Sequence, residues 1–254
     1  MRHTIPTLVS LAMGLGAAAT AQAQEWTHSL TPYLWGSGMS GKAAIGTPAG
    51  PLEADVDVGF DDILSNLKIG GMLSYRADSD RWVVMADAIY MDLQADKTVG
   101  GPLVTVDASA EVQQIALEAD LGYHLTENLV AFVGLRYNDI DAGLAVLRSG
   151  PGAGASRGAG ENESWVDPLV GLTAKLPLNE RWSLGLRGDV GGFGVGSDLA
   201  WQAMVSVQWK ASDKLEVIGG YRYLDVDYEN GSGASLFKYD VVTSGPGVGF
   251  SFRF

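Results

Sequence analysis

The sequence predicts an all-β fold: a closed antiparallel transmembrane β-barrel of about ten strands, within a range of roughly eight to twelve. Three observations carry this. Segment after segment alternates apolar and polar residues with a period of two, which is the mark of a strand with unlike faces. The apolar face of these segments ends in tryptophan or tyrosine, strand after strand. Short polar turns also alternate with long Gly-, Pro- and Ser-rich connections, as they do in membrane barrels.

Composition sets the limits. Among 254 residues, 17 Lys and Arg stand against 30 Asp and Glu, a net charge of −13. That balance opposes the basic face that nucleic-acid phosphates require. There is no cysteine, so disulfides, thiolate catalysis and thiolate metal sites are excluded. The 34 glycines are spread along apolar segments, not pooled in linkers.

Residues 1–23 read as a secretory signal. Arg2 and His3 form a basic start, Ile5 to Ala19 are apolar and small, and AQA at 21–23 offers a cleavage site. The alternative is an N-terminal amphipathic anchor. The domain then runs over 24–254. No later apolar run approaches the ~20 residues of a membrane helix, so an exported chain of this kind can cross a membrane only as a closed barrel.

The first long connection, 48–67, contains a helix candidate, GFDDILSNL at 59–67. Asp61 could cap it, and Phe60, Ile63, Leu64 and Leu67 would share one face. It could fold inward as a constriction or lie against the rim. IGGMLSYR (69–76) sets Ile69, Leu73 and Tyr75 against Lys68 and Arg76, and a turn follows at 77–80. In the next segment Trp82, Val84, Ala86, Ala88 and Tyr90 oppose Val83, Met85, Asp87 and Ile89. After a connection at 97–103, QQIALEADLGYH (113–124) sets Ile115, Leu117, Ala119, Leu121 and Tyr123 against Gln114, Glu118, Asp120 and His124.

A turn at 125–128 leads into a segment with Leu129, Ala131, Val133, Leu135 and Tyr137 outward and Val130, Phe132, Gly134 and Arg136 inward. The connection 148–164 includes PGAGASRGAG, which has the glycines of a phosphate loop without its Lys-Ser/Thr ending or following helix, and reads as a flexible surface loop. VDPLVGLTAKL (166–176) puts Asp167, Thr173 and Lys175 opposite Val166, Val170, Leu172 and Leu176. Past the turn 177–180, Trp182, Leu184, Leu186 and Val190 oppose Ser183, Arg187 and Asp189.

The 194–198 connection precedes LAWQAMVSVQWK, where Trp201, Ala203, Val205, Val207 and Trp209 alternate with Gln202, Ser206, Gln208 and Lys210. The turn 211–214 opens the last hairpin, where Leu215, Val217, Gly219, Tyr221 and Tyr223 face out and Glu216, Ile218, Gly220 and Arg222 face in. Beyond a connection at 229–236 the chain closes on GVGFSFRF, with Phe250, Phe252 and Phe254 outward and Arg253 inward.

An apolar face of nine residues spans eight intervals of ~3.3 Å, which tilted by ~40° rise about 20 Å, a little under the ~25 Å apolar band of such barrels. Trp82, Tyr90, Tyr123, Tyr137, Trp182, Trp201, Trp209, Tyr223 and Phe254 form its aromatic girdle. By parity Lys68, Arg76, Asp87, Glu118, Asp120, Arg136, Asp167, Lys175, Arg187, Asp189, Glu216 and Arg222 line the lumen, with Arg222 expected to pair with a neighbouring carboxylate. The paired runs GLRYNDIDA and GYRYLDVDY then need put no charge in lipid: their aspartates lie beyond the girdle tyrosines and their arginines face inward.

Those lumen charges make either a narrow selective pore or an interior plugged by its own ion pairs. The acidic outer ends (Asp92, Asp96, Asp139, Asp141, Glu161, Glu163, Asp225, Asp227 and Glu229) read as solvated carboxylates, although such groups can bind divalent ions that bridge lipopolysaccharide. No metal or cofactor motif is present. His124, with Glu118 and Asp120 on its face, is the nearest approach to a general base, but no nucleophile motif accompanies it, so no enzyme is expected.

The terminal alternating phenylalanines resemble the C-terminal signal of Gram-negative outer-membrane barrels. YLWG (33–36), VGFDDILSNL (58–67) and YRYLDVDY (221–228) make the chain similar to a family of small exported outer-membrane barrels of about this length, like OmpA and OmpW in general architecture. The resemblance implies the cell outer membrane as location, lipid and lipopolysaccharide as surroundings, and the barrel-insertion machinery as an assembly partner. It transfers no catalytic residue. The expected role is structural or porin-like passive permeation by a monomer. The alternatives are a surface interaction module built on the acidic loops and a lipid-modifying enzyme.

Overall fold

The computed structural model describes residues 25–48, 50–100, 105–149 and 157–254, with side chains described outside 95–110 and 144–159. The signal segment 1–23 and the glycine-rich stretch 151–156 lie outside the described residues. In chain order the elements are β1 (Thr27–Trp35), β2 (Gly38–Ile45), β3 (Leu52–Val58), α1 (Phe60–Asn66), β4 (Leu67–Asp78), β5 (Trp82–Gly100) and β6 (Thr105–Thr126). They continue with β7 (Leu129–Ser149), β8 (Arg157–Pro177), β9 (Trp182–Gly191), β10 (Leu199–Lys210), β11 (Leu215–Asn230) and β12 (Phe237–Arg253).

Ten strands close the ring. β1 pairs with β4, each of β4 to β12 pairs with the next, and β12 returns to β1, all antiparallel. The backbones of His28 and Phe254 exchange two hydrogen bonds, of 3.2 and 2.9 Å, at this closure. All four short turns fall where the sequence places them. The outward rows are apolar and exposed, among them Leu73, Leu117, Leu121, Val133, Leu135, Val170, Leu172, Val205, Val207 and Phe250.

The other two strands extend the wall outward. After Gly36 and Ser37, β2 continues the line of β1 along the outer half of β12, from Gly38 opposite Ser244 to Ile45 opposite Phe237. β3 folds back on β2, from Leu52 opposite Ile45 to Val58 opposite Met39. α1 then leads down into β4. The connection read from sequence as one loop with a helix thus contains a further strand.

α1 is capped by Gly59, whose N–H donates to Asp62 Oδ2 at 3.2 Å, so Asp62 and not Asp61 closes its first turn. Ile63 is buried, whereas Phe60 and Leu64 are exposed. Phe60 lies against Gly36, where a Cβ would meet its ring at 3.1 Å. The helix therefore sits in the rim and does not cross the lumen.

The outer half is no longer a cylinder. β8 meets β9 only from Leu169 to Pro177, so the outer half of β8 continues above the short β9–β10 hairpin without a partner on that side. On the opposite side no strand pairing joins β3 to β5. Two sheets result, one of β5 to β8 and one of β11, β12, β2 and β3. Their inner faces share a core of Ile140, Trp165, Leu224, Val226, Tyr228 and Phe237, with Ala200 of β10 beneath it. Trp165 stacks on Tyr228 with centroids 4.0 Å apart and planes 12° apart, a favoured offset contact.

Polarity therefore inverts at the girdle. Inside the membrane band apolar residues face out and charged ones face in. Beyond it, apolar residues face in while Asp139, Asp141, Asp225, Asp227 and Asp240 face out, as in a sheet packed on a core in water, and Glu163 shares the inward parity of Trp165.

Candidate functional site

The inward charges of the middle strands meet in one layer across the lumen. Arg136 on β7 donates through Nε to Glu118 Oε2 on β6 at 2.6 Å and through Nη2 to Asp189 Oδ1 on β9 at 2.8 Å. Arg187 on β9 bonds Glu118, reaches Asp120 Oδ2 at 3.0 Å and donates through Nε to Asp189 Oδ2 at 3.1 Å. Its guanidinium also lies 4.4 Å from the centre of the Phe132 ring.

The chain of contacts continues. Gln202 on β10 donates to Asp189 Oδ2 at 2.9 Å and accepts from Arg222 Nε at 2.6 Å. Arg222 on β11 then reaches across to Asp87 Oδ1 on β5 at 3.4 Å and to Tyr33 OH on β1 at 3.3 Å. Tyr33 donates to Asp87 Oδ1 at 2.8 Å. Arg222 also lies 4.8 Å from the Trp35 ring.

Seven of the ten ring strands thus contribute to a single relay. Strand parity explains why the side chains converge, because every member is at an inward position. Two glycines give them room. A Cβ on Gly134 would collide with Asp120, and one on Gly171 would meet the Phe132 ring at 2.4 Å. Charge-assisted bonds of this kind are short and directional.

The layer divides the interior. Below it a cavity of about 680 Å³, lined by Ser29, Thr31, Ser74, Met204, Ser206 and Gln208 among others, reaches down to the short turns. Above it the space shrinks to about 40 Å³ between Met72, Ile89, Met91, Ile140, Trp165 and Leu224. That is close to the volume of one water molecule, and the apolar core of the described outer residues packs over it.

The remaining lumen residues are placed as follows. Arg76 is held by Asp78, with two contacts of 2.6 Å. Lys175 and Arg253 both meet Glu216 at the mouth, at 2.8 and 3.2 Å. Asp167 is fully buried beyond the layer, with no ion-pair partner among the described residues, accepting from Trp165 Nε1 at 3.1 Å and from the backbone N–H of Ser197 at 2.6 Å.

Two placements correct the sequence reading. Lys68 does not face the lumen. A bulge between Leu67 and Ile69 interrupts the β4–β5 register, and the extra residue turns out to meet Asp92 at 3.9 Å and Glu111 at 3.5 Å on the outer surface. His124 does not join Glu118 and Asp120; its Nε2 lies 3.5 Å from Asp78 Oδ1.

All nine girdle aromatics lie on the outward face. Trp82 meets Tyr123 edge-on at 5.2 Å, Trp182 lies 6.3 Å from Trp209, and Phe254 completes the ring near the turns. Tyr90, Tyr137, Trp201 and Tyr223 form the other ring, with Trp201 stacked on Tyr223 at 4.7 Å. Just past it, Trp201 Nε1 donates to Asp225 and Tyr137 OH donates to Asp139. Glu163 accepts from Tyr228 and Asn230. The side chain of Asp96 lies outside the described residues.

Sequence reasoning missed the outer core. Its signal was present in Asp139-Ile140-Asp141-Ala142 and in Leu224-Asp225-Val226-Asp227-Tyr228, where the acidic parity implies an apolar face behind it.

No protein-family model and no curated protein matches the sequence. Among solved structures, the chain is similar to the outer membrane protease OmpT from Escherichia coli, with a TM-score of 0.55 at 9% identity over 91% of this chain and 98% of that one. The chain has the fold of a closed outer-membrane-type β-barrel. The translocator domain of the autotransporter NalP from Neisseria meningitidis gives 0.43 at 12% identity, over 92% of this chain and 90% of that one. The attachment invasion locus protein Ail of Yersinia pestis gives 0.35 at 13%, over 91% and 99%. Only the first likeness bears on the fold, and at such identity it carries no activity with it.

Proposed function

We propose that this protein is a closed, structural barrel of the outer membrane and does not conduct in its resting state. The observation that carries this is the relay from Asp87 through Arg222, Gln202, Asp189 and Arg136 to Glu118, which spans the lumen from wall to wall. A solute passing through would have to separate ion pairs whose members are largely removed from water. Breaking such a buried pair costs about 3–5 kcal/mol. The packed outer core adds a second barrier above. The reading assigns the chain no catalytic step and treats it as a monomer.

Planar-bilayer recording of the purified full chain tests it. The wild type gives no discrete conductance steps, whereas the Arg187→Ser, Arg222→Ser double variant gives frequent ones. Steady steps from the wild type would overturn the closed-barrel reading and restore passive permeation.

A second reading, a surface interaction module, is favoured by a separate feature. The two sheets project beyond the girdle with polar outer faces, which is more structure than sealing a barrel requires.

A further inference from the structure

We infer that the free edge of β3 is a docking site for an extended, basic polypeptide segment that adds to the outer sheet as a strand. The inference deepens the interaction reading and rests on it, and is independent of whether the lumen conducts.

β3 runs LEADVDV with neither proline nor glycine, and it pairs only with β2. Its other edge carries no backbone hydrogen bond among the described residues. Leu52 to Asp55 are all exposed. Outside the hydrocarbon an unpaired, regular strand edge is a template for another strand, and natural proteins usually cover or break such edges. Among the described residues this one is neither covered by another element nor broken by proline or glycine. Its place is fixed by register: Asp57 lies opposite Ser40, Ser40 opposite Val242, and Val242 opposite Asp225, two residues past the girdle Tyr223. The edge therefore stands in water just above the membrane.

Chemistry selects the occupant. Glu53, Asp55 and Asp57 alternate along the strand and so share one face. None of the three forms an ion pair or a side-chain hydrogen bond among the described residues, apart from those of their own sheet backbone. A second copy of β3 in antiparallel register would set carboxylate against carboxylate, and like charges directly opposite destabilise a pair. A strand with Lys or Arg at every second position sets opposite charges there and offers its alternate residues to the Leu52, Ala54, Val56, Val58 face. Main-chain bonds would supply affinity and the alternation specificity, as in other strand-addition complexes.

A labelled peptide of alternating Lys and Val, seven residues long, tests this by fluorescence anisotropy against the full chain in nanodiscs of neutral lipid. Saturable binding is expected, weakened about tenfold in the Glu53→Gln, Asp55→Asn, Asp57→Asn variant, each removed pair contributing a few tenths of a kcal/mol. A peptide with alternate amides N-methylated should not bind, because it keeps the charge and loses the ladder. Asp139→Asn with Asp141→Asn should leave binding unchanged. Absence of binding, equal binding of the methylated peptide, or equal loss on changing Asp139 and Asp141 would overturn the inference. So would a dimer in sedimentation that the triple variant tightens, since removing the opposed carboxylates would then give the edge to a second copy. An unchanged unfolding temperature of the triple variant establishes that its fold is intact. Silent wild-type conductance accompanied by no peptide binding would sink this inference while leaving the closed barrel standing.

Discussion

Arg136 is the residue on which the lumen layer turns. It is 2% exposed and answers two carboxylates, Glu118 on the adjacent β6 and Asp189 on β9 two strands away on the other side. Removing it takes one of two guanidinium partners from each carboxylate, leaving only Arg187 to both in a buried site, and breaking such buried pairs costs up to about 3–5 kcal/mol. Arg222 shares its burden with Gln202 and Tyr33 and holds Asp87 at a longer 3.4 Å. Arg136→Ala should therefore lower the unfolding temperature of the detergent-solubilised barrel more than Arg222→Ala does, as read by the shift between folded and unfolded forms on electrophoresis after stepwise heating. Equal losses would mean that the layer acts through bulk rather than through pairing. At this scale parity was readable from sequence and partners were not. Alternation sends Glu118, Asp120, Arg136, Arg187, Asp189 and Arg222 inward, but which carboxylate meets which guanidinium depends on strands 18 to 135 residues apart. Lys68 shows the limit of parity itself, because one bulge reverses a face.

Strands and their neighbours set the next level. On the outer sheet Asp227 lies directly opposite Asp240. Burial raises the Asp227 pKa above the ordinary carboxylate value, and Asp240 raises it further. A carboxyl whose folded pKa is raised costs stability while ionised, and the cost is relieved as the pH falls through the folded value. Asp240→Asn should accordingly raise the unfolding temperature at neutral pH, by an amount corresponding to about 0.2–1 kcal/mol. The gain should shrink in acid, as the pH falls through the raised pKa of Asp227 and that carboxylate takes up its proton. A gain that persists in acid would assign the effect to packing and not to charge. Element types were largely legible: the four tight turns, the membrane strands and the helix within 59–67 all follow from local pattern. β3 was not, although LEADVDV does alternate, because flanking glycine and proline mark the whole stretch as connection and only its pairing with β2 makes it a strand. The reach of β5 to β8 beyond the girdle was hidden in the same way by glycines read as loop.

The whole molecule combines a lipid-facing cylinder with a water-facing sandwich. Spin labels at Leu135 and Val217, on the outward face between the two aromatic rings, should be relaxed strongly by oxygen and weakly by a water-soluble nickel chelate in a lipid bilayer. A label at Asp141 should show the reverse. Water exposure at the first two positions would remove the membrane assignment altogether. The closed layer and the packed outer core together predict that such a bilayer stays electrically quiet. Period-two alternation, aromatic ends and turn lengths were enough to establish a barrel and which residues face away from its lumen, because these are consequences of neighbours along one chain in a low-dielectric solvent that tolerates no unpaired backbone. Whether the lumen is open, which charges neutralise which, and that the outer wall parts into two sheets with a bare β3 edge depend on contacts between residues far apart in sequence. Those are settled by ring closure, register and the sum of side-chain volumes, and no local pattern encodes them.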